Sequence, residues 1–143
     1  MQLKEIITVL EQMAPTAYAE DFDNVGLLVG DKNLNVTGIL VCHDALESVI
    51  DEAVEKGCNL VVCFHPIIFS GMKKLTGKTY VERAVIKAIR NDVAIYAVHT
   101  GLDNHPDGVN KILCNALGLK NTQILMPKKS FIQKLTTFVP VAN

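Results

Sequence analysis

No apolar run in the chain approaches the roughly 20 residues that a bilayer span requires; stretches such as Leu60 to Phe64 are far too short. There is no block of like charge either. The 14 basic and 15 acidic residues are mixed along the chain and leave a net charge of −1, which argues against a nucleic-acid or anionic-membrane surface. The N-terminus, MQLKEIITVLEQM, carries charges inside its apolar pattern and is therefore no signal peptide. CxxC motifs are missing: Cys42, Cys58, Cys63 and Cys114 are irregularly spaced, and two of them sit inside apolar strand-like runs. That usage reads as reduced thiols in a cytoplasmic protein. What is present is a packed-domain composition, 49% apolar and 20% charged over 143 residues, enough for one core and too little for two full domains.

Periodicity divides the chain into alternating elements. Leu3, Ile6, Ile7, Leu10 and Met13 fall on one face of an amphipathic helix that Pro15 stops. Gly26 to Val29 is a short strand closed by Gly30-Asp31, and Gly38 to Cys42 is a continuous apolar strand of the buried kind. A helix over about Leu46 to Lys56 turns Leu46, Val49, Ile50, Ala53 and Val54 inward and ends at Gly57. Leu60 to Phe64 is a second buried strand, Val81 to Asn91 a third helix with Val81, Ala84, Val85, Ala88 and Ile89 inward, and Val93 to Val98 a third buried strand. Gly108 to Leu117 reads as a fourth helix; Gln123 to Met126 and Leu135 to Val139 read as strands. Alternating strands and helices predict an α/β three-layer domain, with a parallel or mixed central sheet and helices on both faces.

Ligands in open α/β sheets collect beyond the carboxyl ends of the strands. There the three buried strands run into His43-Asp44, into His65-Pro66, and into His99-Thr100-Gly101-Leu102-Asp103, with His105 just beyond. All four histidines of the chain lie at or past these ends. Two readings are open: a set of hydrogen-bonding loop residues, or a site for zinc, iron or manganese, which imidazole and carboxylate serve as ligands. The H-x-x-x-D spacing of His99 and Asp103 suits a tight loop that turns both side chains inward.

The segments Asp23-Asn24-Val25-Gly26-Leu27, His65-Pro66-Ile67-Ile68-Phe69 and His99-Thr100-Gly101-Leu102-Asp103, in that order, resemble the type 2 GTP cyclohydrolase I homologues, the Nif-three-like dinuclear metal centre proteins. The resemblance runs from about Leu3 to Leu119. It implies a cytoplasmic protein with two divalent metal ions in a cleft, a small-molecule substrate and a ring-shaped homohexamer. By position it implies that His65, Asp103 and His99 are metal ligands or neighbours of the metals.

Two departures stand out. The family's H-H-P motif reads Phe64-His65-Pro66, and a phenylalanine binds no divalent ion; His43, ending the neighbouring strand, is a candidate replacement. The family's distal H-x-x-x-E pair has no counterpart after Asp103. Residues 1–130 are thus expected to form the N-terminal part of a metal-centre domain, and 131–143 to open a further segment of a larger protein. Gln133 to Val141, apolar at Leu135, Phe138, Val139 and Val141, is expected to promote self-association. The function these features suggest is a metal-dependent hydrolase acting on a nucleotide or phosphorylated small molecule, with an incomplete site in this chain. The alternative is a non-catalytic scaffold or regulatory binding protein of the same fold.

Overall fold

The computed structural model describes residues 1–127. Four strands form one mixed sheet in the order β1-β4-β3-β2, where β1 is Gly26–Val29, β2 Ile39–Asp44, β3 Leu60–His65 and β4 Ala94–Ala97. β2, β3 and β4 run parallel, and β1 closes the far edge antiparallel to β4. Helices α1 (Leu3–Met13), α2 (Glu47–Glu55) and α3 (Tyr80–Arg90) cover the sheet, and α4 (His99–Asp103) and α5 (Val109–Ala116) follow β4.

Alternation along the inner strands decides which helix packs where. Leu60, Val62, Ala94 and Tyr96 form one buried cluster with Leu3 and Ile6 of α1. Val61, Cys63, Ile95 and Ala97 point the other way, into a cluster with Ile50 and Ala53 of α2 and Ala84, Val85 and Ala88 of α3. These are the two covered faces of a three-layer α/β domain. Both crossover helices lie on one face, as two crossovers of the same hand must when the sheet grows in one direction. Each fully buried side chain, such as Ile50, Leu60 or Ile95, contributes about 1.5–3 kcal/mol through loss of apolar surface to water. Ion pairs Arg83–Glu47 (2.8 Å) and Lys87–Asp51 (2.6 Å) join α3 to α2 on their solvent side.

The structure departs from the sequence reading in four places. β2 is an edge strand and not a buried one: Val41 is 75% and Ile39 46% exposed, because α1 lies over β3 and β4 and leaves that row open. Leu46, Val54 and Ile89, expected inward, lie at the helix rims and are exposed. His99–Asp103 is a short helix and not a tight loop, a turn that Gly101 permits, since a Cβ there would stand 3.0 Å from the Pro15 carbonyl oxygen. Gln123 to Met126 forms no strand; Ile124, Leu125 and Met126 are exposed, and among the described residues no strand pairs with them. The expected strand Leu135 to Val139 and the association segment Gln133 to Val141 lie outside the described residues. Among the described residues no helix is long and apolar enough to cross a membrane.

Candidate metal centre

The parallel register sets the site. Cys42 pairs with Cys63 and Asp44 with His65, which brings His43 level with Phe64 at the carboxyl end of the sheet. The His43 and Phe64 rings stack at 5.2 Å with an interplanar angle of 8°, and the His65 ring meets His43 edge-on at 4.3 Å. β4 ends one strand away, so His99 closes the group, 5.4 Å from both Phe64 and His65. Three imidazoles therefore surround one phenyl ring, each within the usual range of aromatic contact.

Two of the histidines are oriented by carboxylates. His65 Nδ1 donates to Asp44 Oδ1 at 2.8 Å. His99 Nδ1 donates to Asp23 at 2.9 and 3.0 Å to its two oxygens. An ionised carboxylate can only accept, so in each neutral ring Nδ1 carries the proton and Nε2 keeps a free lone pair. The two pairs differ in setting. The Asp44 and His65 side chains are about half exposed, whereas the Asp23 side chain has no exposed surface. Burial pushes the Asp23 carboxyl up, but hydrogen bonds from His99, the Thr100 hydroxyl and the backbone of Asn24 and Thr100 outweigh it and hold the group below the usual range.

Asp103 follows His99 by four residues on α4, which places both on one face of the helix. Burial raises its carboxyl above the usual range; His99 and His65 draw it down and Asp23 pushes it further up. His105 is elsewhere: it stacks on Tyr18 at 6.1 Å and its Nδ1 accepts the Asp107 amide at 3.2 Å.

His43, Asp44 and His65 each offer a ligand atom within 4.8 Å of the others'. Imidazoles with carboxylates are a donor set for zinc, iron or manganese. The group opens onto a cleft of about 310 Å³ lined by Asp44, Leu46, His65, Phe69, Tyr80 and His99 among others, a volume suited to a small molecule. Cys42 and Cys63 lie behind it. Burial, with the Asp44 charge adding to it, pushes their thiols up to about 11 and about 12, so they stay protonated and are poor ligands near neutral pH.

Of the residues singled out from sequence, His43, His65 and His99 are brought together, and Asp103 shares a helix face with His99. Asp44 and Asp23 were not assigned roles. Asp44 had a signal, its place beside His43 at a strand end. Asp23 had only its place in the D-N-V-G-L segment, 76 residues from the histidine it holds.

Known proteins resemble this chain in sequence and in fold. The chain is 39% identical over 143 residues to a GTP cyclohydrolase 1 type 2 homolog of Staphylococcus aureus (strain COL), covering all of this chain and 39% of that protein. It is 38% identical over 134 residues to one of Clostridium acetobutylicum, covering 94% of this chain and 50% of that protein. The chain thus spans between two fifths and half the length of these relatives. Among solved structures, a Bacillus cereus protein related to NIF3 superposes with a TM-score of 0.81 at 39% identity, covering 90% of this chain and 35% of that one. Reduced HcgD from Methanocaldococcus jannaschii does so at 0.81 and 30% identity, covering 88% and 50%. The family model for Duf34/NIF3 (NGG1p interacting factor 3) matches residues 1–141, and the chain belongs to that family.

Proposed function

We propose that this chain carries a divalent-metal site at the carboxyl ends of β2, β3 and β4, and that in the whole protein the site serves metal-dependent hydrolysis of a nucleotide or phosphorylated small molecule. The observation that carries the reading is the gathering of three imidazoles at the strand ends, His65 lying 4.3 Å from His43 and 5.4 Å from His99 between ring centroids, with Asp44 in the same group as His43 and His65. His99 and Asp103 supply further donors on the β4 side. In this assignment His65, Asp103, His99 and His43 hold zinc, iron or manganese, and Asp44 orients His65. A divalent ion held by these residues would supply Lewis-acid chemistry, activation of a water and polarisation of a substrate oxygen. The chain's own residues do the rest. Asp44 fixes the His65 ring, Phe64 keeps water from the space between the three imidazoles, and Leu46, Phe69 and Tyr80 wall the cleft in which a substrate lies. The protein works in the cytoplasm as a homohexamer in this reading, which the resemblance supports.

Phe64 supports a second reading. A phenyl ring among three histidines removes one donor from the centre, as expected of a scaffold or regulatory binding protein that has lost part of a site. Elemental analysis of the purified protein, then calorimetry with zinc and manganese after chelator treatment, tests the common part. About one loosely held ion per chain is expected, and no uptake of either metal rejects the site. A turnover screen with nucleotides and phosphoesters on the metal-loaded protein separates the two readings.

A further inference from the structure

Residues 20–24 belong to no helix or strand, yet two adjacent side chains in this segment reach His99 after β4 and the loop that follows His65 of β3. The fully enclosed Asp23 carboxylate accepts from four donors: His99 Nδ1, the Thr100 amide at 3.2 Å, the Thr100 hydroxyl, and the Asn24 amide at 2.7 Å. Asn24 Nδ2 donates to the Ile68 carbonyl at 2.6 Å, in the loop that leaves His65. The Glu20 amide donates to the Thr100 hydroxyl oxygen at 3.0 Å. His99 itself has φ +23°, a value uncommon outside glycine that persists where the surroundings over-determine it.

We propose that Asp23 and Asn24 are a positioning pair for the metal centre: Asp23 locks His99 as the Nδ1–H tautomer with Nε2 facing the cleft, and Asn24 ties the His65 loop to the same segment. This rests on the metal reading above. The chemistry requires a carboxylate at 23, since only an acceptor without protons of its own fixes which ring nitrogen carries the hydrogen. A carboxylate behind a ligating histidine sets its tautomer and orientation, and losing it typically costs 10–100-fold in metal affinity. The arrangement also explains why the two residues are consecutive. The Asp23 side chain goes to His99 and that of Asn24 to the Ile68 carbonyl, so a single short segment fixes the spacing of both histidines before an ion arrives.

The test uses the 143-residue chain labelled with ¹⁵N-histidine. Long-range ¹H–¹⁵N spectra of the metal-free protein should show His99 as the Nδ1–H tautomer, a readout that needs neither metal nor activity. Asp23→Ala should release His99 into mixed tautomers and weaken zinc binding by about 10–100-fold. Asp23→Asn, which keeps one carbonyl acceptor, should fall between, and Asn24→Ala should weaken binding severalfold with the tautomer unchanged. A wild-type His99 with the proton on Nε2 overturns the proposal without any variant. So does zinc affinity within twofold of wild type in a folded Asp23→Ala protein, and unchanged affinity in Asn24→Ala removes that residue from the pair. A wild-type chain that binds no zinc while His99 keeps the Nδ1–H tautomer rejects the metal reading and upholds the Asp23 lock.

Discussion

The two sides of the cleft are built differently. On the β4 side, His99 is 19% exposed and rests on a carboxylate with no exposed surface that four donors hold in place. On the β2 side, His43 is exposed and its described contacts are ring contacts with Phe64 and His65, while Asp44 stands half in water. The difference follows from sheet position. β4 is flanked by β1 and β3 and capped by residues 20–24, so groups at its end are desolvated and must be fully hydrogen-bonded. β2 is the sheet edge, where water satisfies whatever the protein does not. An interior strand end thus offers a preorganised ligand and an edge strand end an adaptable one, with His65 of β3 between them and in contact with both.

The largest effect expected from this contrast is on metal binding. His65→Ala removes the ring shared by both sides and should lower zinc or manganese affinity by about 100-fold, which is about 2.7 kcal/mol. His43→Ala should cost about tenfold or less. Calorimetry on the two variants checks this. Equal losses at 43 and 65 would show the edge side to be as firmly built as the interior one.

Next in size is fold stability. Asp23→Ala strands four donors, those of His99, Asn24 and the two of Thr100, in an enclosed space. Each buried unsatisfied group costs about 1–3 kcal/mol, and with water entering the truncated site a net loss of about 2 kcal/mol in urea denaturation is expected. Asp44→Ala breaks a pair that is about half exposed, which is worth about 0–1 kcal/mol. A similar loss at both positions would erase the distinction between the two sides.

Phe64→His sharpens the contrast from the centre. The phenyl ring touches His43, His65 and His99, so an imidazole in its place adds a donor within reach of both sides. Affinity should rise about tenfold, about 1.4 kcal/mol, or the stoichiometry should move toward two ions per chain. No change in either would mean that Phe64 is not what limits the site.

How far the sequence reveals these features depends on whether each signal is local. The covered faces of β3 and β4 were legible because LVVCF and VAIYAV are apolar at every position, which only strands buried on both faces require. GILVC has the same character, yet β2 is the edge; strand order is decided by crossovers, and nothing within five apolar residues records it. His43, His65 and His99 were legible because each ends an apolar run. Asp23 was not, because the antiparallel return of β1 beside β4, a tertiary fact, brings residue 23 to residue 99. The short helix at 99–103 was missed because Gly101 reads as a loop residue until Pro15 is seen against it.

The smallest expected effect comes from a carboxylate that resembles Asp23 in its bonds and differs in its surroundings. Glu82, near the start of α3, accepts from the amides of Thr76 and Lys78 and from the hydroxyls of Thr76 and Thr79. Chiefly through the two bonds from Thr76, its pKa falls from 4.5 to about 2. A carboxylate lowered in the folded state contributes stability that is present above its unfolded value and is lost as pH falls through its folded one. Glu82 should therefore support the fold fully above about pH 4.5 and progressively less down to about pH 2. Because water can replace its partners, Glu82→Gln should flatten the pH dependence of thermal unfolding in that window and leave zinc affinity unchanged. Asp23→Asn should flatten acid unfolding too, and also weaken zinc binding. If Glu82→Gln weakened zinc binding as much as Asp23→Asn, the number of bonds a carboxylate makes, and not its place behind a histidine, would set its role, and the contrast between the two sides of the cleft would lose its meaning.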